Sequence, residues 1–318
     1  MPINTSAQSS FKIIDFHTHI YPDLKYRNQI PDNYLQKAKT ASKYYSLLGH
    51  ALQQKIHLIP ENIRKHFDSV LLPFTLPTLA VNSSADDLLM EIKNQSIDYV
   101  VTVAHPPMIS NEFIIEQSQK HDLFLPCLSY AETEKDSEYF KVENLESPQY
   151  LLKLYPMSED FNLNSSNLES ILEFWNKKSW PMLVHTGALY SSFFKKPTAG
   201  QIENLTEMVR KYKNIKFILL HMNIFKPYEA IEFCQRYTNT FVTTSWQSEE
   251  LIAVANKKLG SERILFSSDW PLLGNNIELR KKMILDLFEK NNLTHVECEN
   301  ILYNNAKNIL ETYFLKKL

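Results

Sequence analysis

The chain has 318 residues, 44% hydrophobic and 22% charged, with 34 basic residues against 36 acidic. That apolar share and near-neutral charge exclude general disorder and support one large domain, residues 1–318, with a substantial core. They also lack the basic excess of a dedicated nucleic-acid binder, so no nucleic-acid partner is expected.

Short apolar, β-branched runs recur along the chain and alternate with helical patterns. The first, Phe11–Phe16, leads into His17-Thr18-His19. From Tyr21 to Ser83 no strand is legible, only helix-like pattern broken by Pro22, Pro31, Pro60, Pro73 and Pro77. An insertion of that length is usually functional or a small subdomain. It reads either as a lid or substrate-shaping cap, or as an oligomer contact, with a homodimer as the candidate assembly. Ser84 is placed to cap a helix over Ala85–Asn94, with Asp86 and Asp87 favourable in its first turn.

The next runs are Ile97–Ala104, Leu123–Leu128, Tyr150–Lys153, Met182–Val184, Ile215–Leu220, Thr240–Thr244 and Arg263–Ser268. Runs this apolar suit strands covered on both faces, as in a parallel sheet. Apolar residues at three- and four-residue spacing predict helices over Asn167–Lys178, Ile202–Tyr212, Tyr228–Tyr237 and Glu249–Leu259. Gly260 stands where a C-terminal glycine would end the last of these. Residues 276–318 predict two amphipathic helices.

The strand ends keep a beat. His105, Ser129 and Lys153 fall 24 residues apart, and so do His221, Ser245 and Asp269. The middle steps, from Lys153 to His185 and on to His221, are 32 and 36 residues. Those intervals suit repeated βα units. Eight such strands predict an α/β chain closed as a (β/α)8 TIM barrel with a helical insertion after strand one, in preference to an open doubly wound sheet.

Only 5 glycines stand against 15 prolines, and neither GxGxxG nor GxxxxGK[ST] occurs. No apolar run nears the roughly 20 residues of a membrane span. Met1–Ser10 is polar, with neither a basic residue nor an apolar stretch, and does not read as a signal peptide. Cys127, Cys234 and Cys298 lie far apart without CxxC spacing and read as buried small hydrophobes in a reducing, cytoplasmic setting.

Chemistry-bearing residues sit on the strand ends. His17 and His19 are two apart, so in an extended chain both imidazoles face one point. His185 ends strand five, His221 strand six, Asp269 strand eight and Lys153 strand four. In a barrel these carboxyl ends share one rim, where barrel active sites lie. Several imidazoles and a carboxylate there match the preferences of Zn²⁺ or a similar divalent ion. His105 ends strand two, as a buried structural histidine or a substrate contact. Trp246 and Trp270 follow strands seven and eight, as a pocket floor or as packing.

The segments Ile14-Asp-Phe-His-Thr-His19, Leu152-Lys-Leu-Tyr-Pro156, Pro181-Met-Leu-Val-His-Thr-Gly187, Phe217-Ile-Leu-Leu-His221 and Arg263-Ile-Leu-Phe-Ser-Ser-Asp-Trp-Pro271 resemble the amidohydrolase superfamily. The resemblance is to the amidohydrolase-related branch that includes aminocarboxymuconate semialdehyde decarboxylase. Ile301-Leu-Tyr-Asn-Asn-Ala306 is similar to that family's closing helix, and only Tyr21–Ser83 falls outside the likeness. Leu152, Met222 and Ser267 stand where the family often has glycine, and Tyr155 where it has histidine.

The resemblance implies one divalent metal, zinc ahead of manganese, held by His17, His19, His185 and Asp269, with His221 and Asp269 catalytic. Lys153 is then a ligand for a substrate carboxylate or a partner of the aspartate. Carboxylated, it would bridge two metals, the less favoured arrangement. The activity expected first is hydrolysis of a small amide, lactone or ester by metal-activated water. The alternative is non-oxidative decarboxylation of an unsaturated or aromatic carboxylic acid. A metal-dependent nuclease and a catalytically silent binding barrel rank below these. The expected partner is a small-molecule substrate.

Overall fold

The structure, a computed structural model, describes residues 11–22, 83–106, 108–130, 139–140, 150–157, 165–190, 196–272 and 277–314, with scattered positions between 36 and 69. Eight strands run in chain order: β1 (Ile14–Thr18), β2 (Tyr99–Val103), β3 (Phe124–Ser129), β4 (Leu151–Leu154), β5 (Pro181–His185), β6 (Lys216–Leu220), β7 (Thr240–Thr243) and β8 (Ile264–Leu265). Each pairs parallel with the next, in the order β1 to β8.

The last and first strands meet beyond the end of β8. Phe16 N donates to Phe266 O at 3.0 Å, Asp269 N to His17 O at 2.8 Å and His19 N to Trp270 O at 2.7 Å. The architecture is therefore a (β/α)8 TIM barrel. The run predicted over Arg263–Ser268 is strand only at Ile264–Leu265, because side chains take over the pairing. Ser267 N donates to Thr244 Oγ1 at 3.0 Å, and Ser245 N to Ser267 Oγ at 3.1 Å.

The helices are α1 (Ala85–Gln95), α2 (Asn111–Lys120), α3 (Ser166–Lys178), α4 (Thr206–Lys211), α5 (Pro227–Arg236), α6 (Glu249–Leu259), α7 (Ile277–Glu289), α8 (His295–Glu299) and α9 (Asn305–Phe314). Ser84 caps α1 in a reciprocal box with Asp87. The sequence pattern does not reveal α2, whose buried face is only Asn111, Ile114 and Ser118. The helix predicted over Ile202–Tyr212 divides into a 3-10 turn, Ile202–Leu205, and α4. At the C-terminus α8 and α9 are joined by a π-helical turn, Asn300–Asn304.

Two apolar layers follow from strand alternation. Outward residues such as Leu152, Leu154, Met182, Val184, Phe217 and Leu219 pack under the helices. Inward residues such as Ile14, Phe16, Leu151, Leu183, Ile218 and Leu265 fill the barrel, with Ala306, Ile309 and Leu310 of α9 packed against them. Asn305 fixes that helix by donating to Ser261 O and Ile264 O, both at 2.7 Å. This plugs one end and leaves the strands' carboxyl ends as the open mouth. Among the described residues no helix is long and apolar enough to cross a membrane.

Most of the Tyr21–Ser83 insertion lies outside the described residues. Where it is described, residues 61–66 are helical and touch the mouth. The buried Arg64 guanidinium lies 3.5 Å over the Phe225 ring, and Tyr190 N donates to Asp68 Oδ2 at 3.1 Å.

Candidate metal centre

The centre begins at an irregularity in β1. Register runs Ile14↔Tyr99 and Asp15↔Val100, but the next pair is Thr18↔Thr102. One extra β1 residue makes a bulge, which re-aims the side chains beyond it. Ile14 and Phe16 therefore fill the interior while His17 and His19 also turn to the site, their ring centroids 4.7 Å apart. Buried Asp15 secures the bulge: its Oδ1 accepts from His17 N at 3.2 Å and from Ser268 N at 2.9 Å.

Lys153 and His185 arrive by simple alternation, two residues after inward Leu151 and Leu183. His221 does not. Leu219 faces outward, so continued alternation would carry His221 outward too. Instead the chain turns left-handed at His221 (φ 65°), Met222 (47°), Asn223 (59°) and Ile224 (37°). Each non-glycine residue in that region costs roughly 1 kcal/mol, a strain found where structure around a site enforces it. Gly187 accommodates the turn: a Cβ on it would meet Ile224 Cβ at 2.9 Å.

Asp269 sits at the centre, left-handed itself with φ 57°. Its Oδ1 lies 3.3 Å from His17 Nδ1 and 3.4 Å from His19 Nε2. Its Oδ2 accepts the Trp246 indole N–H at 2.6 Å and lies 3.8 Å from His221 Nδ1. The other nitrogen of His19, Nδ1, is engaged with Val103 O, and His221 Nδ1 is itself engaged with Ser245 Oγ, each at 2.9 Å. Lys153 Nζ stands 3.5 Å from His17 Nε2.

Asp269 Oδ1, His17 Nδ1 and His185 Nε2 are buried without a hydrogen-bond partner among the described residues. Buried polar atoms are ordinarily satisfied, so a cluster of orphaned donor atoms calls for a missing partner. Ligand atoms of His17, His19 and Asp269 lie within 4.8 Å of one another. Two imidazoles and a carboxylate at that spacing fit a divalent metal.

Burial sets the protonation states. It drives the His17 and His185 imidazoles well below the ordinary histidine range, helped by Lys153 and neighbouring rings. His221 is lowered to about 4 by burial, against the pull of Asp269. Lys153 falls to about 8, again through burial, opposed by Asp269. Burial works to raise Asp269, but His221, His19 and the Trp246 indole outweigh it and hold the carboxyl below its usual value. The His17, His185 and His221 imidazoles are thus neutral, with lone pairs to offer, and Asp269 is ionised, the state in which metals are bound.

The structure brings His17, His19, Lys153, His221 and Asp269 together, with the His185 ring 4.9 Å from that of His221. His105 lies at the edge, its ring 5.6 Å from His19 and 5.0 Å from Tyr155. Trp246 faces the site with Tyr155, Leu189 and Phe225 in a small apolar cluster. Trp270 packs into the layer beneath the helices instead. Ser245 received no role from the sequence, although its place on the 24-residue beat between His221 and Asp269 was a usable signal. Tyr155, two residues beyond Lys153, was legible by alternation. Gln247 carried no local signal at all.

A family model described as amidohydrolase matches residues 14–311. No curated protein matches the chain. Among solved structures, a dihydroxybenzoic acid decarboxylase from Polaromonas sp. JS666 with bound manganese is similar at 16% identity and TM-score 0.61, over 95% of this chain and 97% of that one. A 5-carboxyvanillate decarboxylase from Sphingomonas paucimobilis matches at 12% identity and TM-score 0.59, over 94% and 99%. A candidate 2-pyrone-4,6-dicarboxylic acid hydrolase from Pseudomonas putida matches at 14% identity and TM-score 0.56, over 95% and 98%. At these identities the likeness shows the fold.

Proposed function

This chain belongs to the amidohydrolase family, and from that premise we propose that it is a metal-dependent, non-oxidative decarboxylase of an aromatic or unsaturated carboxylic acid. The observation that carries this reading is a buried cation beside an apolar cluster at the mouth, Lys153 Nζ lying 5.1 Å from the Tyr155 ring centroid. Lys153 is 2% exposed, beside the ligand group, and Tyr155, Leu189, Phe225 and Trp246 cluster apart from the main core. A flat apolar body with one carboxylate satisfies both features, since a buried ammonium needs an anionic partner. The decarboxylases among the similar solved structures are named for aromatic carboxylic acids.

His17, His19, His185 and Asp269 would hold one divalent ion. Imidazoles with a carboxylate suit zinc, while the Polaromonas structure holds manganese; elemental analysis decides between them. When bound, the ion supplies a Lewis acid that polarises a substrate oxygen and offsets negative charge.

The chain's own groups do the rest. The Lys153 ammonium orients the carboxylate that will leave. On an acid that carries a ring hydroxyl, Asp269, ionised at rest, takes the hydroxyl proton, leaving an oxyanion, and delivers that proton to the carbon that loses CO2. That carbon keeps the electron pair of the broken C–C bond and is protonated with it. His221 stays neutral, its Nδ1 at Ser245, and steadies Asp269 across 3.8 Å. The apolar cluster excludes water from the carbon.

Hydrolysis is the second reading. An ionised Asp269 is also a general base for water, and the Pseudomonas putida protein keeps a pyrone hydrolase in view. The test is turnover by metal-loaded protein on a panel of hydroxybenzoates, unsaturated acids, lactones and amides. Release of CO2 supports the decarboxylase. Ring opening or amine release without CO2 replaces it with the hydrolase.

A further inference from the structure

The inward aim of His221 depends on a left-handed run that nothing in β6 itself enforces. His221 to Ile224 are four consecutive non-glycine residues with φ between 37° and 65°. The carbonyls at the two ends of that run are reached by one side chain. Gln247 Nε2 donates to His221 O at 2.6 Å and to Ile224 O at 3.0 Å. Gln247 is 1% exposed, and its backbone is tied down in turn. Arg280, on α7 and fully inside the protein, donates to Gln247 O at 2.8 Å and also to Thr244 O. The short segment between those carbonyls carries Ser245, on His221 Nδ1, and Trp246, on Asp269 Oδ2.

We propose that Gln247 is a positioning residue: by bracketing the His221–Ile224 turn from a base anchored on Arg280, it holds the His221 ring in the site. The role of His221 in turnover rests on the decarboxylase reading above, but its aim does not. Other bonds hold the middle of the turn, since Thr186 Oγ1 accepts from Asn223 N at 2.8 Å and donates to Leu220 O. Two backbone groups at its start also keep partners, since Ile224 N donates to His221 O at 2.8 Å and His221 N to Thr243 Oγ1 at 2.9 Å, so losing Gln247 loosens the run while leaving the barrel intact. The Ile224 carbonyl would then lose its Gln247 donor and His221 O would keep only Ile224 N, and the run can relax towards ordinary backbone, swinging the ring out.

The test is Gln247→Met, close in shape but without donors, read by diethyl pyrocarbonate labelling of each histidine with mass spectrometry. His221 should label at least tenfold faster than in the wild type, with His17 and His185 changed less than twofold. Gln247→Asn keeps the amide but is one methylene shorter, and serves if the methionine variant does not fold; it should give a smaller rise on His221 alone. Unchanged His221 labelling in a folded variant overturns the proposal. A rise shared equally by all the buried histidines also overturns it, because that reports general loosening.

Where a substrate turns over, kcat should fall about tenfold in Gln247→Met with KM within twofold. In a His221→Ala background the same substitution should cost nothing further, and an equal loss in both backgrounds overturns the proposal. If nothing on the panel turns over, the decarboxylase reading fails while the labelling result still stands.

Discussion

The plugged floor and the open mouth of this barrel are built from the same eight strands and follow opposite rules. At the floor, inward residues alternate regularly, are apolar, and pack against Ala306, Ile309 and Leu310 of the closing helix. At the mouth, polar atoms are buried without partners among the described residues, β1 is bulged, and His221 to Ile224, Trp246 and Asp269 all have positive φ. Burial at the floor stabilises the fold by roughly 1.5–3 kcal/mol per large side chain. Strain and desolvation at the mouth work against it. The lesson is that stability and chemistry are separated along the barrel axis, so substitutions at the two ends should fail differently.

The sharpest break of that symmetry is Asp269→Asn. Turnover should drop about 10³-fold, the scale of losing a central acid–base and electrostatic group. The melting temperature should fall slightly, since the folded surroundings favour the ionised carboxyl. Near-normal turnover would remove Asp269 from the chemistry. Next, His17→Ala/His19→Ala should abolish metal binding, seen by elemental analysis as about one ion per chain falling to none. Chelation should lower the melting temperature of the wild type and leave that of the variant unmoved.

A floor substitution should show the converse. Leu183→Ala should cost about 2–5 kcal/mol in denaturant unfolding while metal content stays at the wild-type level. If metal is lost as well, the two ends are coupled and the separation fails.

The mouth should also dominate the acid side of the stability curve. His17, His105, His185 and His221 have folded-state values below the ordinary 6.5, His221 at about 4. The unfolded chain therefore binds more protons than the folded one below pH 6.5, and stability falls as pH drops from there towards 4. His221 alone accounts for about 3 kcal/mol of that loss. Asp15, raised to about 7 by burial, has the opposite sign and offsets part of it. Flat metal-free stability between pH 7 and 5 would contradict the burial of these rings. The smallest effect belongs to neither end: Ser84→Ala removes the α1 cap and should cost about 1 kcal/mol, with activity and metal content unaltered.

What the sequence determined by itself is what local pattern records. Strand number, order and inward parity could be read because each strand needs only its own apolar alternation and a turn after it. Lys153 and His185 were legible for that reason, and Ser84 because a cap and its box lie within four residues. His17, His19, His221 and Asp269 were legible as residues on a rim, but not as a geometry.

The tertiary structure alone decided that geometry, because its determinants come from chain segments far apart in sequence. The β1 bulge is a mismatch with β2 and is held by Asp15 against Ser268. The aim of His221 reverses the parity of β6 and depends on Thr186 and Gln247. The Trp246 indole on Asp269 and the place of Trp270 in the layer beneath the helices are likewise contacts between distant segments. Helix α2 escaped notice because two of its three buried positions, Asn111 and Ser118, are polar; Asn111 Nδ2 donates to Ser129 O and its Oδ1 accepts from Ser129 N. Periodicity marks where a strand ends. Which way the next side chain turns is settled by partners that only the closed barrel brings alongside.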